Sequence, residues 1–72
     1  MRLLYVEDEV ALREITADFL DKVFINTTTA NDGLDGLEKF KKSLDFDIII
    51  TDINMPGING IEMVESIKDL KK

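Results

Sequence analysis

The 72-residue sequence contains no cysteine and no histidine. The first absence excludes disulfide staples and thiolate metal sites. The second removes imidazole both as a metal ligand and as a general base. Tryptophan is absent too, and proline and tyrosine occur once each. No apolar run approaches the roughly 20 residues that a membrane-spanning helix needs. The opening "MRLLYVEDE" turns acidic too early for a secretory signal. Basic residues are also in short supply: 9 Lys and Arg stand against 15 Asp and Glu, a net charge of −6. Such a surface repels phosphate backbones, which argues against direct nucleic-acid binding. These absences together describe a soluble, cytoplasmic chain with no membrane partner.

What is present suits a globular domain. Hydrophobic residues make up 44% of the chain, which is ordinary for a folded protein. The length fits one small domain or a piece of a larger one, with a marginal core. Arg2 to Val6, "RLLYV", reads as a strand that ends in "EDE". From about Val10 to Asp21, Leu12, Ile15, Phe19 and Leu20 recur at helical spacing. "VFINTTT", residues 23–29, is β-branched and polar, and predicts a second strand at a sheet edge. Asn31-Asp32-Gly33 is a turn signal with Asp32 as N-cap. Leu34, Leu37, Phe40 and Leu44 then mark a second helix, with Lys39, Lys41 and Lys42 toward its C-terminal end. Asp47 to Thr51 is a third strand whose unbroken "IIIT" predicts cover on both faces. After a loop over 52–59, a third helix from Gly60 should turn Ile61, Val64, Ile67 and Leu70 inward.

The order β-α-β-α-β-α predicts an α/β fold with a parallel sheet. Two strand orders are simple, 1-2-3 and 2-1-3. The first would bury the threonines of strand 2 in the middle. The second puts that polar strand at an edge and the apolar strands side by side, and is preferred. Helix 1 then lies on one face and the next helix on the other. In such sheets ligands bind past the carboxyl ends of the strands, where the strand order reverses. That point lies between strands 1 and 3, so Glu7 and Asp8 should meet Asp52 there. Three converging acids repel one another, and a hard divalent cation relieves the conflict. Oxygen ligands without His or Cys fit Mg2+.

The segments "LLYVEDE", "ANDGLDGLE" and "DIIITDINMPGINGIEMVESIK" resemble the response-regulator receiver domain of two-component signalling. The match runs in register from residue 2 to residue 70. The resemblance implies a three-layer flavodoxin-like fold, of which residues 1–72 supply the first three βα units. It implies that Asp52 accepts a phosphoryl group from a histidine kinase. It implies that Asp8 ligates Mg2+ directly, that Glu7 acts as its partner, and that Asn54 gives the metal its backbone carbonyl. Receiver domains also assist their own phosphorylation and dephosphorylation. Met55, Pro56, Gly57 and Gly60 match residues that shape the loop: Met55 by packing, the others through the backbone.

The family fold has five strands and five helices in roughly 120 residues. The Ser or Thr after its fourth strand and the Lys after its fifth have no counterpart in this sequence. A truncated, partial receiver domain is therefore expected, with the strand-3 edge open and self-association through it. Helix 1, alone on its sheet face, should leave an uncovered apolar patch. Lys68, Lys71 and Lys72 should form a solvated cluster at the end of helix 3 and not replace the missing Lys. The alternative function is a non-enzymatic dimerisation or partner-binding module with a vestigial acidic pocket.

Overall fold

The computed structural model describes residues 1–23, 26–43 and 45–70. The elements alternate as β1 (Arg2–Val6), α1 (Val10–Val23), β2 (Asn26–Ala30), α2 (Gly33–Ser43), β3 (Ile48–Thr51) and α3 (Gly60–Leu70). The strands form one parallel sheet in the order β2-β1-β3. The most apolar strand therefore sits in the centre, and the threonine strand lies at an edge as expected. No helix among the described residues is long and apolar enough to cross a membrane.

The pleat divides the central strand between two cores. Leu4 and Val6 join Ala30, Phe40, Phe46, Met55, Met63 and Ile67 on the face under α2 and α3. Leu3 and Tyr5 point the other way and meet Leu20 of α1, with Ile48 beside them. This is the period-two alternation of a strand covered on both faces. Met55 packs in the larger core, as the sequence suggests.

Several boundaries and helix phases differ from the sequence reading. Val23 closes α1 and does not open β2, while Ala30 extends β2 and pairs with Val6. β-Branched residues adjoining a helix end do not mark the boundary by pattern alone; Phe24 and Ile25 lie outside the described residues. Asp47 precedes β3, held by its N–H donating to the Arg2 carbonyl at 2.8 Å. Of the α1 stripe only Leu20 is buried; Leu12, Ile15 and Phe19 are exposed, Ile15 at 70%. In α2, Leu34 is 59% exposed, and the buried positions are Gly33, Gly36 and Phe40. Leu44 lies outside the described residues.

In α3, Ile61 and Leu70 are exposed, while Met63 and Ile67 are buried and Val64 is half-buried. For α2 the reason is close helix–sheet approach. A Cβ on Gly36 would lie 2.9 Å from a Val6 methyl and 2.8 Å from the Met63 sulfur. Glycine at the contact lets α2 settle there, but glycine adds nothing to a hydrophobic stripe.

The helix starts follow capping chemistry. The Asp35 N–H donates to Asp32 Oδ1 at 2.7 Å, as the N-cap reading requires. Asn59 and Glu62 form a reciprocal box at α3, with N–H to side-chain oxygen distances of 2.9 and 3.1 Å. Its sequence signature is Asn followed three residues later by Glu. Lys41 and Lys42 do occupy the last turn of α2. Lys39 instead turns back, donating to the Thr29 carbonyl at 2.5 Å and pairing with Asp35 at 3.2 Å.

Candidate functional site

Val6 and Thr51 pair across the sheet, so the chain leaves β1 and β3 side by side at their carboxyl ends. Both exits are pinned. The Glu7 N–H donates to the Ala30 carbonyl at 3.1 Å, and the Asp52 N–H donates to the Val6 carbonyl at 3.2 Å. Glu7, Asp8 and Asp52 thereby converge, with one carboxylate oxygen from each lying within 4.8 Å of the others. These are the three acids that the switch-point argument selected. Asp8 and Asp52 are exposed, while Glu7 is only 5% exposed. Asn54 lies in the exposed part of the loop after Asp52.

The electrostatics follow from this crowding. Burial pushes the Glu7 carboxyl above its ordinary value, and its contact with Asp8 and the charges of Asp52 and Asp8 push the same way. The Glu9 N–H, donating to Glu7 Oε2 at 3.2 Å, opposes the rise without cancelling it. A buried acid beside two others binds a proton or a cation more readily than an isolated one.

The backbone around the acids is fixed by groups that the sequence reading did not assign to the site. Arg13, one turn into α1, sends Nη1 to the Glu7 carbonyl at 2.9 Å. It thus ties the first turns of α1 to the end of β1. Its place one turn into α1 was readable, but its target was not. Thr51 Oγ1 donates to the Asp52 carbonyl at 2.9 Å. Gly60 packs directly on that carbonyl: a Cβ there would lie 2.5 Å from the Asp52 oxygen. Gly60 shapes the loop through the backbone, by close approach. Gly57 has a positive φ, +78°, which suits its turn after Pro56. Lys68 lies along α3 beside Ile61 and Val64; Lys71 and Lys72 are outside the described residues.

Comparison with known proteins agrees with this geometry. The model of the response regulator receiver domain family matches residues 3–72. Chemotaxis protein CheY-3 of Vibrio cholerae is 44% identical over 69 residues, covering 94% of this chain and 52% of CheY-3. Response regulator protein TrrA of Thermotoga maritima, solved in complex with Mg2+-BeF, superposes with a TM-score of 0.88 at 37% identity. The match covers 97% of this chain and 60% of that one. A chain in the structure of histidine kinase ThkA in complex with TrrA matches at 38% identity and a TM-score of 0.82, over 94% of this chain and 58% of that one. The chain thus spans about half the length of CheY-3. With three parallel strands in the order 2-1-3, three acids at the switch point and a family match over nearly its whole length, the chain belongs to the response regulator receiver domain family.

Proposed function

We propose that this chain carries the phosphoacceptor half of a Mg2+-dependent receiver site, with Asp52 taking a phosphoryl group from a histidine kinase in the cytoplasm. The observation that carries the reading is the convergence of Glu7, Asp8 and Asp52 from two strand ends, with their oxygens within 4.8 Å. The donor set fits Mg2+, being all oxygen, partly exposed and short of positive charge. Glu7, Asp8, Asp52 and the Asn54 backbone carbonyl would hold the ion. A bound Mg2+ would supply positive charge that offsets the repulsion between the acids and an incoming phosphoryl group.

Asp52 has the right position for an acceptor. Asp52 is exposed beside Glu7 and Asp8, while its N–H and C=O are held by Val6 and Thr51. In the transfer, a carboxylate oxygen forms a bond to phosphorus as the bond from phosphorus to the kinase imidazole breaks. Glu7 and Arg13 position the acidic loop, one by a buried carboxylate and the other through the Glu7 carbonyl. The relatives TrrA–Mg2+-BeF and ThkA–TrrA support the choice of metal and of partner.

Two measurements test the proposal. Calorimetric titration of Mg2+ should give saturable binding that Asp8→Ala abolishes. Incubation with Mg2+ and a small acyl-phosphate donor should give a mass gain that Asp52→Ala removes. A second reading, a non-enzymatic partner-binding module, is favoured by the exposed Leu12, Ile15 and Phe19 of α1. Absence of any saturable Mg2+ binding would reject the first reading in favour of the second.

A further inference from the structure

The loop over residues 52–59 carries Asp52 and Asn54, two of the groups assigned to the Mg2+ site. Ile53, Asn54, Pro56 and Gly57 are exposed along it. Two side chains tie it down: Met55 is buried in the larger core, and Ile58 packs against that core. Its start is held by α3, where the Gly60 N–H donates to the Ile53 carbonyl at 3.0 Å. Its far end rests on α2. Gly33, the first residue of α2, is buried against Ile58. A Cβ on Gly33 would overlap the Ile58 carbonyl oxygen. It would also lie 2.8 Å from Ile58 Cγ1 and 3.3 Å from the Ile58 carbonyl carbon.

This glycine is there for space and not for its backbone angles, because its φ is not positive. Alanine suits a helix better than glycine does, so collision is the whole penalty of a methyl group at this position. The obstacle is backbone, and no change of rotamer relieves it. At Gly36 the same methyl would meet the Met63 sulfur and a Val6 methyl, which are side-chain ends that can turn aside. α2 is fixed by its Asp32 cap and by buried Phe40. The loop, with its exposed Asn54, Pro56 and Gly57, is therefore the part that gives way.

We propose that Gly33 is a positioning residue for the metal site: its missing side chain lets the loop close down on α2, and this seat sets where the Asn54 carbonyl stands relative to Glu7, Asp8 and Asp52. The inference rests on the Mg2+ reading given above, in which that carbonyl is a ligand. Gly33 has no side chain to ligate, so its effect is wholly geometric. Mg2+ demands a near-ideal octahedron of oxygens, whereas Ca2+ accepts more ligands in flexible arrangements. A displaced carbonyl then costs Mg2+ more than Ca2+, and the ratio of the two affinities reports on the loop.

Calorimetric titration of the chain with Mg2+ and, separately, with Ca2+ tests this, with circular dichroism to confirm that each variant is folded. Gly33→Ala should raise the Mg2+ dissociation constant about tenfold or more, and the Ca2+ constant by no more than about threefold. Ile58→Ala, which loosens the same seat without a collision, should shift the ratio in the same direction. Gly36→Ala should leave the ratio at its wild-type value. A folded Gly33→Ala with the wild-type ratio overturns the proposal and leaves the Mg2+ reading standing. Should Gly33→Ala not fold, Ile58→Ala with the wild-type ratio does the same. An equal shift in Gly36→Ala also overturns the proposal, since the change would then follow general loosening of the core. Absence of Mg2+ binding by the wild type overturns both the proposal and the reading on which it rests.

Discussion

The two faces of the sheet are built to different standards. Under α2 and α3, residues from every element except α1 interlock around Phe40 and Met63, and Phe40 and Phe46 rings stack at 6.2 Å. Under α1, the buried cluster is Leu3, Tyr5 and Leu20, with Ile48 at its margin. Beyond it, α1 shows Leu12, Ile15 and Phe19 to solvent. Even the polar groups differ. Thr27, level with Leu3 on the α1 face, has a buried hydroxyl without a hydrogen-bond partner among the described residues. A strand can thus be fully covered on both sides and yet take most of its stability from one. The closed face is also the one that carries the Asp52 loop, through Met55 and Ile58.

The contrast can be broken most forcefully at Phe40. Phe40→Ala should cost about 3–5 kcal/mol in urea unfolding. That is a large part of the roughly 4–11 kcal/mol expected for a domain of this length, so the urea midpoint should fall markedly. On the other face, Leu20→Ala should cost about 2 kcal/mol, the low end for such a change, because the small cluster beside solvent can collapse. Equal losses at the two sites would remove the distinction. Thr27→Val should instead stabilise the protein by about 1 kcal/mol, since it removes the unpaired hydroxyl at nearly constant volume.

A pH titration of stability in metal-free buffer sharpens the picture at the end of β1. The Glu7 carboxyl is raised in the folded state, so the fold binds more protons than the unfolded chain. Its contribution is fully present below the ordinary glutamate range and is lost as pH rises through the raised value. Glu7→Gln should flatten that fall. The smallest effect belongs to Phe19→Ser, whose side chain is already 64% exposed; unfolding stability should move by no more than about 0.5 kcal/mol.

Much of this organisation was legible in the residues. The apolar run "LLYV" stopped by "EDE" located β1, and the threonines of β2 placed it at an edge. Strand order then brought Asp52 beside Glu7 and Asp8, as the structure has it. The phase of the helices was harder to read. Hydrophobic spacing favoured Leu34 and Ile61, yet the inner faces of α2 and α3 run through Gly33, Gly36 and Gly60. A glycine at a tight contact is selected for what it leaves out, and pattern analysis scores only what is present. The burial of Glu7 and the reach of Arg13 to its carbonyl depend on tertiary placement, which no local window contains.

The seat of Gly60 on Asp52 has a mechanical meaning. The Gly60 N–H holds the Ile53 carbonyl at 3.0 Å, and there is no room between Gly60 and the Asp52 peptide for a single added carbon. The Asp52 backbone and the first turn of α3 are therefore packed without room between them. A chemical event that shifts the Asp52 peptide by more than a few tenths of an ångström must rotate or slide α3 with it. The helix is then a lever fixed to the Asp52 peptide.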